Sequence, residues 1–147
     1  MPIRVALDAR KLTDYGIGTY LYHLLRGLAE RNEIQLTVLA RPGHVDRVEA
    51  LAPAARILPV TARGYGAREH LQVPAALWRE RLDLVHVPHY VLPVLLPRCV
   101  VVTVHDVIQL FYPPRPRPYL ALLYLRLVLR SALRRARRVI TVSRASR

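Results

Sequence analysis

The chain has 147 residues, 52% of them hydrophobic, which suits one folded domain with a real core and argues against intrinsic disorder. Formal charge is +13 and Cys99 is the single cysteine, so a disulfide framework and a cysteine-based metal site are both excluded. No apolar run approaches the ~20 residues of a membrane-spanning helix, and "MPIRVALDAR" has no basic-then-apolar export leader, so a cytoplasmic location is the expectation.

In chain order, "IRVAL" (3–7) predicts a first strand, and the glycine-bearing stretch "LTDYGIGTY" predicts a loop feeding a helix over about 18–31. A strand at 34–40, a helix over about 43–52, a strand at 55–60 and a helix over about 67–81 follow. Strands at 84–88 and 100–104 come next, then a long helix over about 119–137 and a last strand at 138–143. Several of these strands are continuous apolar runs without alternation, as in strands covered on both faces. Strands interleaved with helices predict an α/β fold, a Rossmann-like doubly wound parallel sheet. "PPRPRP" (113–118) reads as a loop into the last long helix, and no internal repeat is visible.

Ligands of a doubly wound sheet bind outside the carboxyl ends of its strands. The segment after the first strand therefore points toward the expected site, and Gly16 and Gly18 would let a ligand approach the backbone. The helix they feed offers free N–H groups and a positive dipole end, a seat for phosphate. The spacing is no dinucleotide fingerprint, because position 21 is leucine, and no phosphate loop of the G-x-x-x-x-G-K-[ST] kind occurs. Plain turn chemistry is the other reading of these glycines.

Three histidines fall at or near strand ends: His86 and His89 in "LVHVPHY", and His105 in "VVVTVHD". His105 ends an apolar strand and precedes Asp106, which could orient the imidazole, whereas His86 sits inside its strand and reads as structural. No metal site is expected, since neither H-x-x-x-H nor carboxylate-rich spacing accompanies them. His23, His44 and His70 read as surface or helix-face residues.

The charge is unevenly distributed. Lys11 is the only lysine among 23 basic residues, and no acidic residue follows Asp106. Arg126, Arg130 and Arg134 recur every four residues and so share a helix face with Leu123 and Leu127, while Leu125, Val128, Leu129, Ala132, Leu133 and Ala136 take the packing side. Such a face suits an anionic membrane surface; a solvated face is the alternative. A basic module binding nucleic acid or another anionic surface is the second functional reading, but no nucleic-acid recognition motif or aromatic-lined groove supports a specific nucleic-acid partner.

Together these segments resemble the N-terminal domain of the family 4 glycosyltransferases, a retaining family with the GT-B fold. The resemblance rests on "RVALDARKLTDYGIGTYLYHLLRGL", "DLVHVPHYVLPVLLP", "VVTVHDVIQLFYP" and "ALRRARRVITVSRASR", in that order. It implies the acceptor-side half of an enzyme that moves a sugar from a nucleotide-diphosphate sugar to an acceptor, lipid-linked or a polysaccharide precursor. No further cofactor is implied, and no metal. Gly16, Gly18 and Tyr15 fall on the donor-diphosphate side, and His105 is similar to the family residue that contacts the transferring sugar. His89, Tyr90 and Asp106 fall on the acceptor side. Ser143 and Ser146 resemble the family's "VS-x-x-S" pattern, where helix capping is the simpler role. The family's second lobe, with the basic pair that stabilises the leaving diphosphate and an E-x7-E motif, has no counterpart in these 147 residues, so the chain taken alone is expected to be inactive.

Overall fold

Runs of valine, leucine and isoleucine too short for a helix find their stability between two helical layers, and six of them form one parallel sheet. A computed structural model describes residues 1–62, 68–93, 95–96, 99–105 and 119–143, with the backbone alone for 119–122. Strand β1 (Ile3–Asp8) pairs on one side with β2 (Ile34–Ala40), followed by β3 (Arg56–Pro59). On its other side it pairs with β4 (Leu84–Val87), followed by β5 (Val100–Val104) and β6 (Arg138–Thr141). The order β3-β2-β1-β4-β5-β6, all parallel, is the doubly wound arrangement that the sequence predicts. In register, Leu7 stands opposite Val38 and His86, and His86 opposite Val101.

Helices α1 (Tyr15–Ala29), α2 (Val45–Leu51), α3 (Glu69–Leu77) and α4 (Tyr119–Arg135) cover the two faces. Alternate residues of each strand enter different cores. Val5 and Leu7 join Leu21, Leu25 and Val48 on the α1/α2 side, and Ala6, Val85 and Val102 join Val73, Leu77 and Ala132 on the α3/α4 side. At the β6 edge the covering is thinner: Val139 and Ile140 are each 40% exposed.

Three expectations are corrected. Helix α1 begins at Tyr15, three residues early, so Gly16 and Gly18 lie in its first turn and not in a preceding loop. Close packing is the reason: a Cβ at position 18 would stand 2.5 Å from the carbonyl oxygen of Leu12. Helix α3 ends at Leu77, short of the predicted 81, because the chain leaves the helical bonding pattern there, the Trp78 amide bonding three residues back to Ala75, and Pro74 inside it supplies no amide donor. Leu133 of α4 is exposed, since its angular position leaves the arc defined by Leu125, Leu129 and Ala132.

Candidate functional site

Two polar clusters lie at the carboxyl edge of the sheet, one on each face. On the α3 side, Asp8 ends β1, Arg10 follows it, Glu69 opens α3 and His89 follows β4; all four are buried. Arg10 donates from Nε to Asp8 Oδ1 at 2.8 Å and from Nη2 to Asp8 Oδ2 at 2.6 Å and Glu69 Oε1 at 2.7 Å. Its Nη1 donates to the Ala62 carbonyl at 3.1 Å. His89 Nδ1 accepts from the Val91 amide at 3.2 Å, and its Nε2 faces the two carboxylates, 3.6 Å from Asp8 and 3.7 Å from Glu69.

Burial alone would raise the Asp8 carboxyl; hydrogen bonds from His89 and Arg10, with the Arg10 charge, outweigh it and hold that carboxyl far below its ordinary range. Burial alone would lower the Arg10 guanidinium, and the bonds and charges of Asp8 and Glu69 raise it instead. Asp8, Glu69 and His89 offer ligand atoms within 4.8 Å of one another, as a metal site does. The bridging place between the carboxylates is held by Arg10 Nη2, so the cluster is an internal charge assembly. His89, expected to meet the acceptor, is 3% exposed and turned into this cluster; Tyr90 is half-buried against the α3/α4 core.

On the α1 side, side chains that alternate away from the first cluster converge. The Tyr20 hydroxyl on α1 lies 3.1 Å from Thr103 Oγ1 on β5, which lies 2.8 Å from His86 Nε2 on β4. The Tyr20 ring meets the His105 ring edge to face, centroids 4.9 Å apart at 82°. Burial pushes the His86 imidazole down to about 4, with the neighbouring His105 as the second cause, so His86 is neutral at physiological pH. His105 is half-buried at the carboxyl end of β5, where the sequence placed it.

The glycine turn connects with this edge through α1. Tyr15 is 99% exposed, and beside it an open groove of about 420 Å³ runs between α1 and α2, lined by Thr13, Tyr15, Gly18, Thr19, Tyr22 and Arg47. His105 is not among its lining residues; it meets the opposite side of α1 through Tyr20. No side chain crowds Gly16, since a Cβ there would meet nothing within 4 Å. Arg126, Arg130 and Arg134 are exposed on α4, while Arg135 turns inward and donates to the Pro93 carbonyl at 3.0 Å. Asp106 and Ser146 lie outside the described residues.

Sequence reasoning missed Asp8, Arg10 and Glu69 as a unit, and Tyr20 with Thr103. Charged residues at the end of an apolar strand, in "LDAR", are the signal for the first group. No local pattern announces the second, whose partners are 83 residues apart.

No curated protein and no solved structure matches the chain. A family model does, that of Glycosyltransferase Family 4, over residues 15–147. It spans the glycine turn, both strands that carry the histidines, and the basic helix. On that match, with a sheet of Rossmann-like order beneath it, the chain belongs to glycosyltransferase family 4.

Proposed function

We propose that this domain is the acceptor-side half of a retaining glycosyltransferase, working against a second lobe that holds most of a nucleotide-diphosphate sugar. The family match supports glycosyl transfer in general. The observation that carries the finer reading is the meeting of His105 with Tyr20 on the second turn of α1, the helix whose N-terminus and glycine-bearing first turn favour a diphosphate. In the transfer, an acceptor hydroxyl oxygen bonds to the anomeric carbon as the bond from that carbon to the diphosphate oxygen breaks. The hydroxyl proton is released and the diphosphate leaves with the electron pair. His105 contacts the transferring sugar, and no metal or further cofactor is required. Acceptors are lipid-linked or polysaccharide precursors, and the exposed Arg126, Arg130 and Arg134 support contact with an anionic membrane surface from the cytoplasmic side. No helix among the described residues is long and apolar enough to cross a membrane.

The test is turnover in the full-length enzyme, followed as nucleoside diphosphate released from a panel of UDP-, GDP- and ADP-hexoses in the presence of a lipid extract. His105→Ala lowers kcat by about a hundredfold while acceptor KM changes little. Unchanged turnover in that variant removes His105 from the site.

A further inference from the structure

We infer that Tyr20 is a positioning residue for His105, its phenol anchored on Thr103 and its ring setting the plane of the imidazole at the sheet edge. This rests on the catalytic reading of His105 given above. His105 follows the last paired residue of β5, since Val104 still pairs with Thr141, so the ladder itself does not restrain the imidazole. One restraint on the ring is lateral. Tyr20 stands against the ring at 4.9 Å in edge-to-face geometry, the arrangement that the opposed charge distributions of ring face and ring edge favour.

Tyr20 is itself fixed at both ends. Its backbone belongs to the second turn of α1, and that helix is locked against the preceding turn by the close approach of Gly18 to Leu12. Its hydroxyl meets Thr103, which is fully buried and is held in turn by His86. A neutral imidazole at His86 serves this chain, because it adds no positive charge beside His105. The sequence of contacts from β4 to β5 to α1 to His105 thus joins three elements around one imidazole. A group that must meet a sugar within a few tenths of an ångström benefits from such a wall, and small misplacements at reacting centres are costly in rate.

The experiment pairs ring-current NMR of the His105 ring protons in this chain with steady-state kinetics of the full-length enzyme on the hexose panel. Tyr20→Leu is expected to abolish the ring-current displacement of His105 and to lower kcat at least tenfold with donor KM within threefold. Tyr20→Phe, which keeps the ring, retains the displacement and stays within about threefold of the parent kcat. If Tyr20→Leu does not fold, Tyr20→Met keeps the bulk without the ring and gives the same readouts. A Tyr20→Leu enzyme with parental kcat, alongside a His105→Ala enzyme that has lost turnover, overturns the positioning role and leaves the catalytic reading standing. A His105→Ala enzyme with parental turnover overturns both. An unshifted His105 spectrum in Tyr20→Leu overturns the contact itself.

Discussion

Replacing Arg10 by leucine strips the cation from a buried assembly of two carboxylates. The guanidinium makes four hydrogen bonds of 2.6 to 3.1 Å there, to Asp8, Glu69 and the Ala62 carbonyl, with every side chain concerned shielded from water. Taking one partner from a buried ion pair costs about 3–5 kcal/mol, and here two carboxylates lose the cation they share, so the upper half of that range applies. For a domain of this size each kcal/mol lowers Tm by about 2–4 °C, which gives a fall of roughly 8–20 °C at pH 7. The pH dependence adds a sign. In the parent, Asp8 is depressed, so its contribution is present above the ordinary carboxylate range and lost as pH falls through the folded value. In Arg10→Leu the buried Asp8 carboxyl lacks the cation that holds it down, so the variant's deficit relative to the parent narrows as pH drops from 7 toward 5. Circular-dichroism melts at pH 7 and 5 read both effects. A variant that melts within 3 °C of the parent at pH 7, or whose deficit relative to the parent is no smaller at pH 5, refutes the charge assembly as the reason for the cluster.

The remaining predictions concern single positions. Gly18→Ala forces a Cβ into the Leu12 carbonyl and costs about 1–3 kcal/mol, whereas Gly16→Ala meets open space and gains about 0.5–1 kcal/mol of helix propensity; equal Tm values for the two would contradict the packing. Because of that space Gly16→Val folds like the parent, so a raised donor KM in the full-length enzyme reports crowding of the diphosphate, and a normal one makes the glycine a turn residue only. His86 stays neutral down to about pH 5, so its Cε1 proton shift is flat from pH 8 to 5; a midpoint near 6.5 would refute its burial. Its lowered folded value means that up to ~3 kcal/mol of stability, present above pH 6.5, is lost as pH falls through 4. Changing Arg126, Arg130 and Arg134 together to glutamine weakens binding to phosphatidylglycerol vesicles by about a hundredfold, at ~1 kcal/mol per arginine; unchanged co-sedimentation assigns the stripe to solvent.

The sheet was legible because its central strands state their own burial. "VVVTV" and "IQLTVLA" leave no polar face, and only a layer with helices on both sides accommodates that. The start of α1 was not legible from glycine's ordinary behaviour, since Gly18 is selected by the absence of a Cβ beside Leu12, a tertiary fact. Pro74 hid in a pattern otherwise good for a longer helix. At the site, His105 could be placed from the end of its strand, but the inward turn of His89 could not, because it depends on Asp8 and Glu69, which approach only when β1, α3 and β4 assemble. Tyr20 was silent for the same reason: its hydroxyl partner, Thr103, looks like an ordinary β-branched strand residue until the register with His86 is known.

Strand β6 ends the sheet with its outer rim of amide and carbonyl groups unmatched among the described residues, and Val139, Ile140 and Val142 beside that rim are partly open to water. A bare rim flanked by branched apolar side chains is a template for further strand addition. Edge-to-edge self-association through 138–142 at high concentration is the expected consequence, checked by sedimentation of the parent against Ile140→Lys, which places a charge on that rim.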